Sequence, residues 1–321
     1  MSPNANGELP AGEWLAYAAN HSQHASTSAE RNQPVRLNPF NPDNIKVRSG
    51  GGGGGGGGGM PGGKMGCGGI VVVLIGVLVV GVDPAQMIGT MEGMQGAGQQ
   101  VGPAQGSQSE TEICNANAYS LEGCNALSSL NDVWAARFAE AGVQFSQPEL
   151  AYYVGGTRTA CGAGSAEMGP FYCPGDQTIY IDTSFYDTLQ QQLGAGGDFA
   201  RYYVMAHEYG HHIQTITGVS DQIRSAQSAN PQASNQLQVM MELQADCYAG
   251  VWANRNRNAV EAGDFEEGMT AAAAIGDDRL TGGRVSSENF THGTSEQRMQ
   301  ALRLGLETGD DTQCDRIVQV R

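Results

Sequence analysis

An unbroken run of glycine from Gly50 to Gly59 sets the first limit on what this chain can fold into. Glycine has no side chain to pack and loses the most backbone freedom on ordering, so the run reads as a flexible tether. Positions 1–63 extend the argument. They are rich in Asn, Ser, Gln, Pro and Gly, with few clustered apolar side chains, and cannot bury enough area to offset the entropy of ordering. A disordered polar tail is the expectation for this stretch.

Beyond the glycines no charge occurs between Lys64 and Asp83, and Ile70 to Val82 consists of Val, Leu, Ile and Gly. The 18 residues from Met65 to Val82 lie at the short end of a bilayer span. A buried strand or the apolar part of a secretory signal has similar composition, but a removable signal begins near the N-terminus and about 65 residues precede this run. The reading is a transmembrane helix, an uncleaved single-pass anchor over 64–88, with a juxtamembrane linker over 89–112. Lys46, Arg48 and Lys64 lie before it and the next basic residue is Arg137. By the positive-inside rule the N-terminus is cytoplasmic and the domain over 113–321 is periplasmic or extracellular.

Most of the charge lies in that domain. Residues 106–321 hold 12 Lys and Arg against 27 Asp and Glu, nearly all of the net −16. An acidic surface argues against nucleic acid as a partner. Six of the seven cysteines, Cys114, Cys124, Cys161, Cys173, Cys247 and Cys314, also fall beyond the apolar run. An even number outside an oxidising boundary suggests three disulfides. Fifteen pairings are open to six cysteines, and the sequence alone does not choose among them. Pairing neighbours, Cys114 with Cys124 and Cys161 with Cys173, is preferred and leaves Cys247 for Cys314.

Within the domain the apolar periodicity predicts a helix over 118–141, carried by Leu121, Leu127, Leu130, Trp134 and Phe138. Residues 149–154 and 177–182 read as strands, and the turn at Pro174-Gly175-Asp176 joins the second to Phe171-Tyr172-Cys173 as a hairpin. Helices are expected over 198–217, from 234 or 235 to about 256, over 265–279, and from 294 or 295 to before Gly309, where Thr294 and Gln297 resemble a capping box. Strands followed by helices favour an α+β fold with helices packed on a small sheet.

The helix over 198–217 contains His207-Glu208-Tyr209-Gly210-His211. Two histidines four residues apart project from one helix face, within reach of one tetrahedral Zn²⁺. Glu208 is placed to hold a water at that metal and to accept its proton as the oxygen attacks a polarised carbonyl. An amphipathic helix with exposed histidines has the same spacing, so the context matters. Gly210 is the only weak helix former between Phe199 and Ile216, and a small residue there permits close packing. Gln214 and Thr217 stand where a metzincin needs Gly and His, which excludes that subclass. Downstream, Glu242-Leu243-Gln244-Ala245-Asp246 places two carboxylates one turn apart on an otherwise apolar helix face, which is costly unless they meet a metal or a charge. Glu242 can complete a His₂Glu site, with Asp246 accepting the remaining ring hydrogen of a ligating histidine. The exchange of those two roles stays open. His292 is a candidate donor to an oxyanion or a packed loop histidine. His212 points away from the metal side of the helix, as a buried hydrogen-bonded histidine would. Tyr203, Tyr209 and Tyr248 are further candidate donors or core residues.

Several longer segments carry a family resemblance: Thr159-Ala-Cys-Gly162 with Gly169-Pro-Phe-Tyr-Cys-Pro174, Tyr180-Ile-Asp-Thr-Ser-Phe185, His207-Glu-Tyr-Gly-His-His-Ile-Gln214, Glu242-Leu-Gln-Ala-Asp-Cys-Tyr-Ala-Gly-Val-Trp252 and Thr291-His-Gly-Thr-Ser-Glu-Gln-Arg298. With the lysine- and glycine-rich lead into the apolar run, they resemble the bacterial putative neutral zinc metallopeptidase family from about Lys64 onward. The resemblance implies a zincin-like, gluzincin-type core that binds one Zn²⁺ through His207, His211 and Glu242, with Glu208 as general base and a protein or peptide as substrate. It does not extend to the tail. The competing reading is a non-catalytic, zinc-stabilised module that binds protein or cell-wall partners. An intact Glu208 favours the enzyme, because a structural site closes its fourth position with Cys or His.

Overall fold

The computed structural model describes residues 35–50, 108–260 and 262–318. The described residues form an α+β fold. Its centre is a four-stranded sheet in the order β1 (Val47–Ser49), β2 (Glu149–Tyr153), β6 (Thr178–Asp182) and β5 (Phe171–Cys173). β1, β2 and β6 are parallel, and the expected hairpin makes β5 antiparallel to β6, with Tyr172 opposite Ile179. A separate hairpin of β3 (Gly156–Thr159) and β4 (Gly162–Ser165) lies beside β5.

Both faces of the sheet are covered, which explains why β2 and β6 read as nearly continuous apolar runs. Leu150, Tyr152, Ile179 and Ile181 enter the main core with the helices, while Ala151, Tyr153, Tyr180 and Phe171 form a smaller cluster on the opposite face. That split is the two-residue period of a strand. The helices are α1 (Glu110–Cys114), α2 (Ala118–Glu140), α3 (Ser184–Gln191), α4 (Asp198–Ile216), α5 (Val219–Ala229), α6 (Ser234–Arg255), α7 (Ala262–Ala274), α8 (Asp277–Leu280), α9 (Ser295–Thr308) and α10 (Asp311–Asp315). The last long helix begins with the capping box expected at Thr294 and Gln297 and ends at Gly309 in the left-handed region. The helix expected over 265–279 is instead two pieces, because the chain turns through extended backbone at Gly276. Asp198 is the first residue of α4 and its cap is Gly197; the Asp198 carboxylate accepts from the Val35 N–H at 2.5 Å.

All three preferred disulfides are present: Cys114–Cys124, Cys161–Cys173 and Cys247–Cys314. They tie α1 to α2, the β3–β4 hairpin to β5, and α6 to α10.

Residues 35–50, which composition places in the polar tail, join the fold. Val35, Ile45 and Val47 are buried in the main core. The Asn131 side-chain amide donates to the Asn44 carbonyl at 2.6 Å, and the Leu150 N–H donates to the Lys46 carbonyl at 2.9 Å.

This placement corrects the reading of a single-pass membrane protein. Among the described residues, no helix is long and apolar enough to cross a membrane. The run Met65–Val82 itself lies outside the described residues. The segments flanking it share one sheet, with Val47 paired to Leu150 and Ser49 Oγ–H donating to Gln108 Oε1 at 2.7 Å. One crossing between them would put β1 and β2 on opposite sides of a bilayer, so a cytoplasmic N-terminus with an external domain does not fit this sheet.

Candidate metal centre

The centre forms where α4 crosses α6. Gly210 permits the crossing, because a Cβ built there would lie 2.8 Å from the Cα of Ala245. Backbone contact at this point sets Glu242 and Asp246 opposite His207 and His211. Each histidine is then held through Nδ1. His207 Nδ1–H donates to Asp246 Oδ1 at 2.8 Å, and His211 Nδ1–H donates to Gln214 Oε1 at 2.8 Å. Gln214 is fixed in turn, its amide donating to the Met241 carbonyl at 2.7 Å and to Gln244 Oε1 at 3.0 Å.

With both Nδ1 atoms engaged, both Nε2 atoms turn toward Glu242 Oε2, at 3.2 Å from His207 and 3.7 Å from His211. Two donors bound about 2.1 Å from one tetrahedral ion stand roughly 3.3–3.5 Å apart, so these separations match a shared metal. The ligand atoms of His207, His211 and Glu242 all lie within 4.8 Å of one another. Two imidazoles and one carboxylate are also the donor types of a zinc site with an open fourth position. The electrostatics agree. Burial alone lowers the His207 imidazole, but the facing Asp246 and Glu242 carboxylates raise it to about 9. Burial likewise opposes charge on His211, yet Glu242 raises it. A site that draws protons onto two buried imidazoles favours a cation for the same reason.

Asp246 is fully buried and does more than hold His207. Arg298 grips it in a two-pronged ion pair, Nε to Oδ2 and Nη2 to Oδ1, both at 2.8 Å, and the Tyr203 hydroxyl donates to Oδ1 at 2.6 Å. Burial raises this carboxyl, but Arg298 and His207 outweigh that and bring it down to about 2. Asp246 is therefore spent on second contacts, and Glu242 is the carboxylate that faces both Nε2 atoms. Glu208 is also buried, and its carboxyl is raised, by desolvation first.

His207, Glu208, His211, Glu242 and His292 line one cavity of about 110 Å³. His292 Nδ1–H donates to Asp277 Oδ1 at 3.0 Å, while Asp277 Oδ2 accepts the backbone N–H groups of Thr291, His292 and Gly293. His212 lies elsewhere, between the Tyr172 hydroxyl and the Ser146 carbonyl. Tyr203, Tyr209 and Tyr248 give their hydroxyls to Asp246, Asn131 and Asp315, and none lines the cavity. Asp277 and Arg298 were missed as site residues from sequence. Arg298 closes the Thr291–Arg298 segment that carries the resemblance, which is the signal that could have found it. Asp277 has no such signal, being one of two adjacent acids after a glycine.

Comparison with known proteins agrees with the geometry. Residues 38–317 match the family described as Putative neutral zinc metallopeptidase, a span that includes β1. The chain is 44% identical to the uncharacterized protein YpfJ of Escherichia coli K12 over 262 residues, covering 80% of this chain and 88% of that one. It is 42% identical over 187 residues to the uncharacterized protein Rv2575 of Mycobacterium tuberculosis, covering 53% of this chain and 62% of that one. No solved structure matches it at a significant level.

Proposed function

The chain belongs to the Putative neutral zinc metallopeptidase family, and on that footing we propose that it hydrolyses peptide bonds at the crossing of α4 and α6. The observation that carries the reading is the convergence of His207 Nε2, His211 Nε2 and Glu242 Oε2 within 4.8 Å, in a cavity that Glu208 also lines. His207, His211 and Glu242 are assigned as ligands of one Zn²⁺, and Asp246 as the group that orients His207. When bound, Zn²⁺ supplies a Lewis acid that polarises the substrate carbonyl and makes a water acidic enough to attack at neutral pH.

Glu208 accepts the proton of that water and passes it to the departing amine. Desolvation raises its carboxyl toward the range in which one group both takes and returns a proton. His292, oriented by Asp277, lines the same cavity and is placed to hydrogen-bond the negative oxygen that develops on the carbonyl. Gln214 and Asp246 keep the two imidazoles from rotating as charge moves.

The test uses the full-length protein and its Glu208→Gln variant, each analysed for zinc and incubated with a mixed peptide library. Both proteins are expected to hold one zinc, and only the parent to cleave, by a factor of about 10²–10⁴ over the variant. Zinc in both without cleavage by either points to the binding module instead. Absence of zinc from both removes the metal site itself.

A further inference from the structure

Along one wall of the cavity, His207, His211 and Thr215 follow at four-residue steps on α4, and Ser220 and Arg224 at a further four-residue step on α5. Side chains at that spacing share a helix face. The two rows meet where Thr215 Oγ1 lies 3.5 Å from Ser220 Oγ. Arg224 ends the combined row. Among the described residues, its one hydrogen-bond and ion-pair partner is Asp221, and it binds none of the candidate metal ligands.

Among the described residues, two arginines and no lysine line the cavity. Arg298 is 1% exposed and its charge is matched by Asp246. Arg224 differs on both counts. Its side chain is 39% exposed, and it pairs through Nη2 alone with Asp221, whose side chain is 80% exposed and lies outside the cavity wall. An ion pair between two exposed groups on one helix contributes little, so Asp221 holds the guanidinium only loosely. A guanidinium carries five N–H donors, of which Asp221 takes one, and a carboxylate meets two at once. The charge balance points the same way. With Zn²⁺ bound, the ion's two positive charges are matched by Glu242 and Glu208, which leaves Arg224 as the lining cation with no counter-charge on the wall. Its field also reaches into the cavity: burial raises the Tyr172 phenol to about 12, while Thr215 and Arg224 act against that rise. We propose that Arg224 sets substrate preference by binding a carboxylate of the peptide held in the cavity. The proposal deepens the peptidase reading and rests on the cavity being a peptide site.

The test measures binding rather than turnover, in the zinc-loaded full-length Glu208→Gln protein with and without a second substitution at Arg224. The probes are acetylated, amidated hexapeptides of alanine and leucine that carry one glutamate at each position in turn, each beside a twin with glutamine there. The best glutamate peptide is expected to bind about tenfold tighter than its twin. Arg224→Gln should erase that difference while zinc content and the affinity of the glutamine twin stay unchanged. Arg224→Glu should reverse it, so that the same peptide with lysine in place of glutamate binds best. A glutamate-free hexapeptide with a free C-terminal carboxylate, compared with its amide, separates the two sources of the group. An Arg224-dependent preference for either carboxylate sustains the proposal and says whether a side chain or the chain end supplies it. A preference that survives Arg224→Gln, a loss in Arg224→Gln shared equally by all peptides, no discrimination among the probes, or no peptide binding at all would overturn it. The parent protein, incubated with the same peptides, keeps the two readings apart. Cleavage without any carboxylate preference in binding overturns the Arg224 proposal alone, whereas Arg224-dependent binding of peptides that the parent never cleaves sustains it and removes the peptidase reading.

Discussion

Single residues at this centre are held by charges that cannot be removed one at a time. Arg298 is 1% exposed and Asp246 is fully buried, so the ion pair between them has no water to replace either partner. Arg298→Met leaves Asp246 with the His207 and Tyr203 donors alone, and the uncompensated carboxylate should cost about 3–5 kcal/mol, measured by urea unfolding. An unchanged midpoint would mean that the two remaining donors suffice. His212 gives a different test, because burial, only partly offset by its bond to the Ser146 carbonyl, lowers its imidazole to about 4. The unfolded chain then binds more protons at this residue between about pH 6.5 and pH 4, so stability rises with pH across that window and is lost as pH falls through it. At pH 5 the loss from this residue should reach about 2 kcal/mol relative to pH 7. With a chelator present to remove metal from the balance, a His212→Gln variant should show a pH slope that is shallower by that amount. Equal slopes would place the acid sensitivity elsewhere.

Elements differ in how plainly the sequence announces them, and the reasons are physical. The helices α2, α4, α6 and α9 carry apolar side chains at helical spacing or defined caps, such as Thr294 with Gln297 and Gly309, and these signals are local. The histidine pair and Glu242 with Asp246 could be read for the same reason, since each pair lies one turn apart on a single helix. That the two helices cross at Gly210 is a tertiary fact, and the glycine only permits it. β1 is legible to no local rule. It has three residues, a polar neighbourhood and a partner strand that begins at Glu149, so only the pairing itself makes it a strand. Asp277 and Arg298 were hidden differently, because charges near helix ends are usually solvated, whereas here both are buried by chain distant in sequence. The α5 helix was missed because its sequence is mostly polar, with Ile223 its one fully buried large side chain. The crossing itself can be tested. Gly210→Ala drives a methyl group against the Ala245 backbone, so α4 and α6 must separate, at a cost of about 1–3 kcal/mol. Zinc affinity should fall with stability, because the separation pulls Glu242 from the histidines. A variant that loses stability but binds zinc as tightly as the parent would show that the two helices adjust elsewhere.

At the scale of the whole molecule, the N-terminal segment belongs to the same folded unit as the metal centre, although a glycine run and a long apolar run separate them in sequence. Val35, Ile45 and Val47 fill part of the main core, and the β1 backbone satisfies the outer edge of β2 through the Leu150 N–H and the Tyr152 carbonyl. A chain that begins at residue 106 therefore exposes apolar core surface together with an unpaired strand edge, a combination that favours association. Such a protein should melt about 5–10 °C lower than the full chain and self-associate on size exclusion. Because β1 and β5 occupy opposite edges of the sheet and the centre lies on the β5 side, zinc content should be retained. A synthetic peptide of residues 35–50 added in trans binds only the folded form, so it should raise the melting temperature in proportion to the logarithm of its concentration once saturating. An N-terminal peptide with Val47→Asp, which places a charge in the core, should have no such effect. If the shortened chain melts like the full one and ignores the peptide, β1 is an ornament on the sheet, and the two halves of the sequence are independent after all.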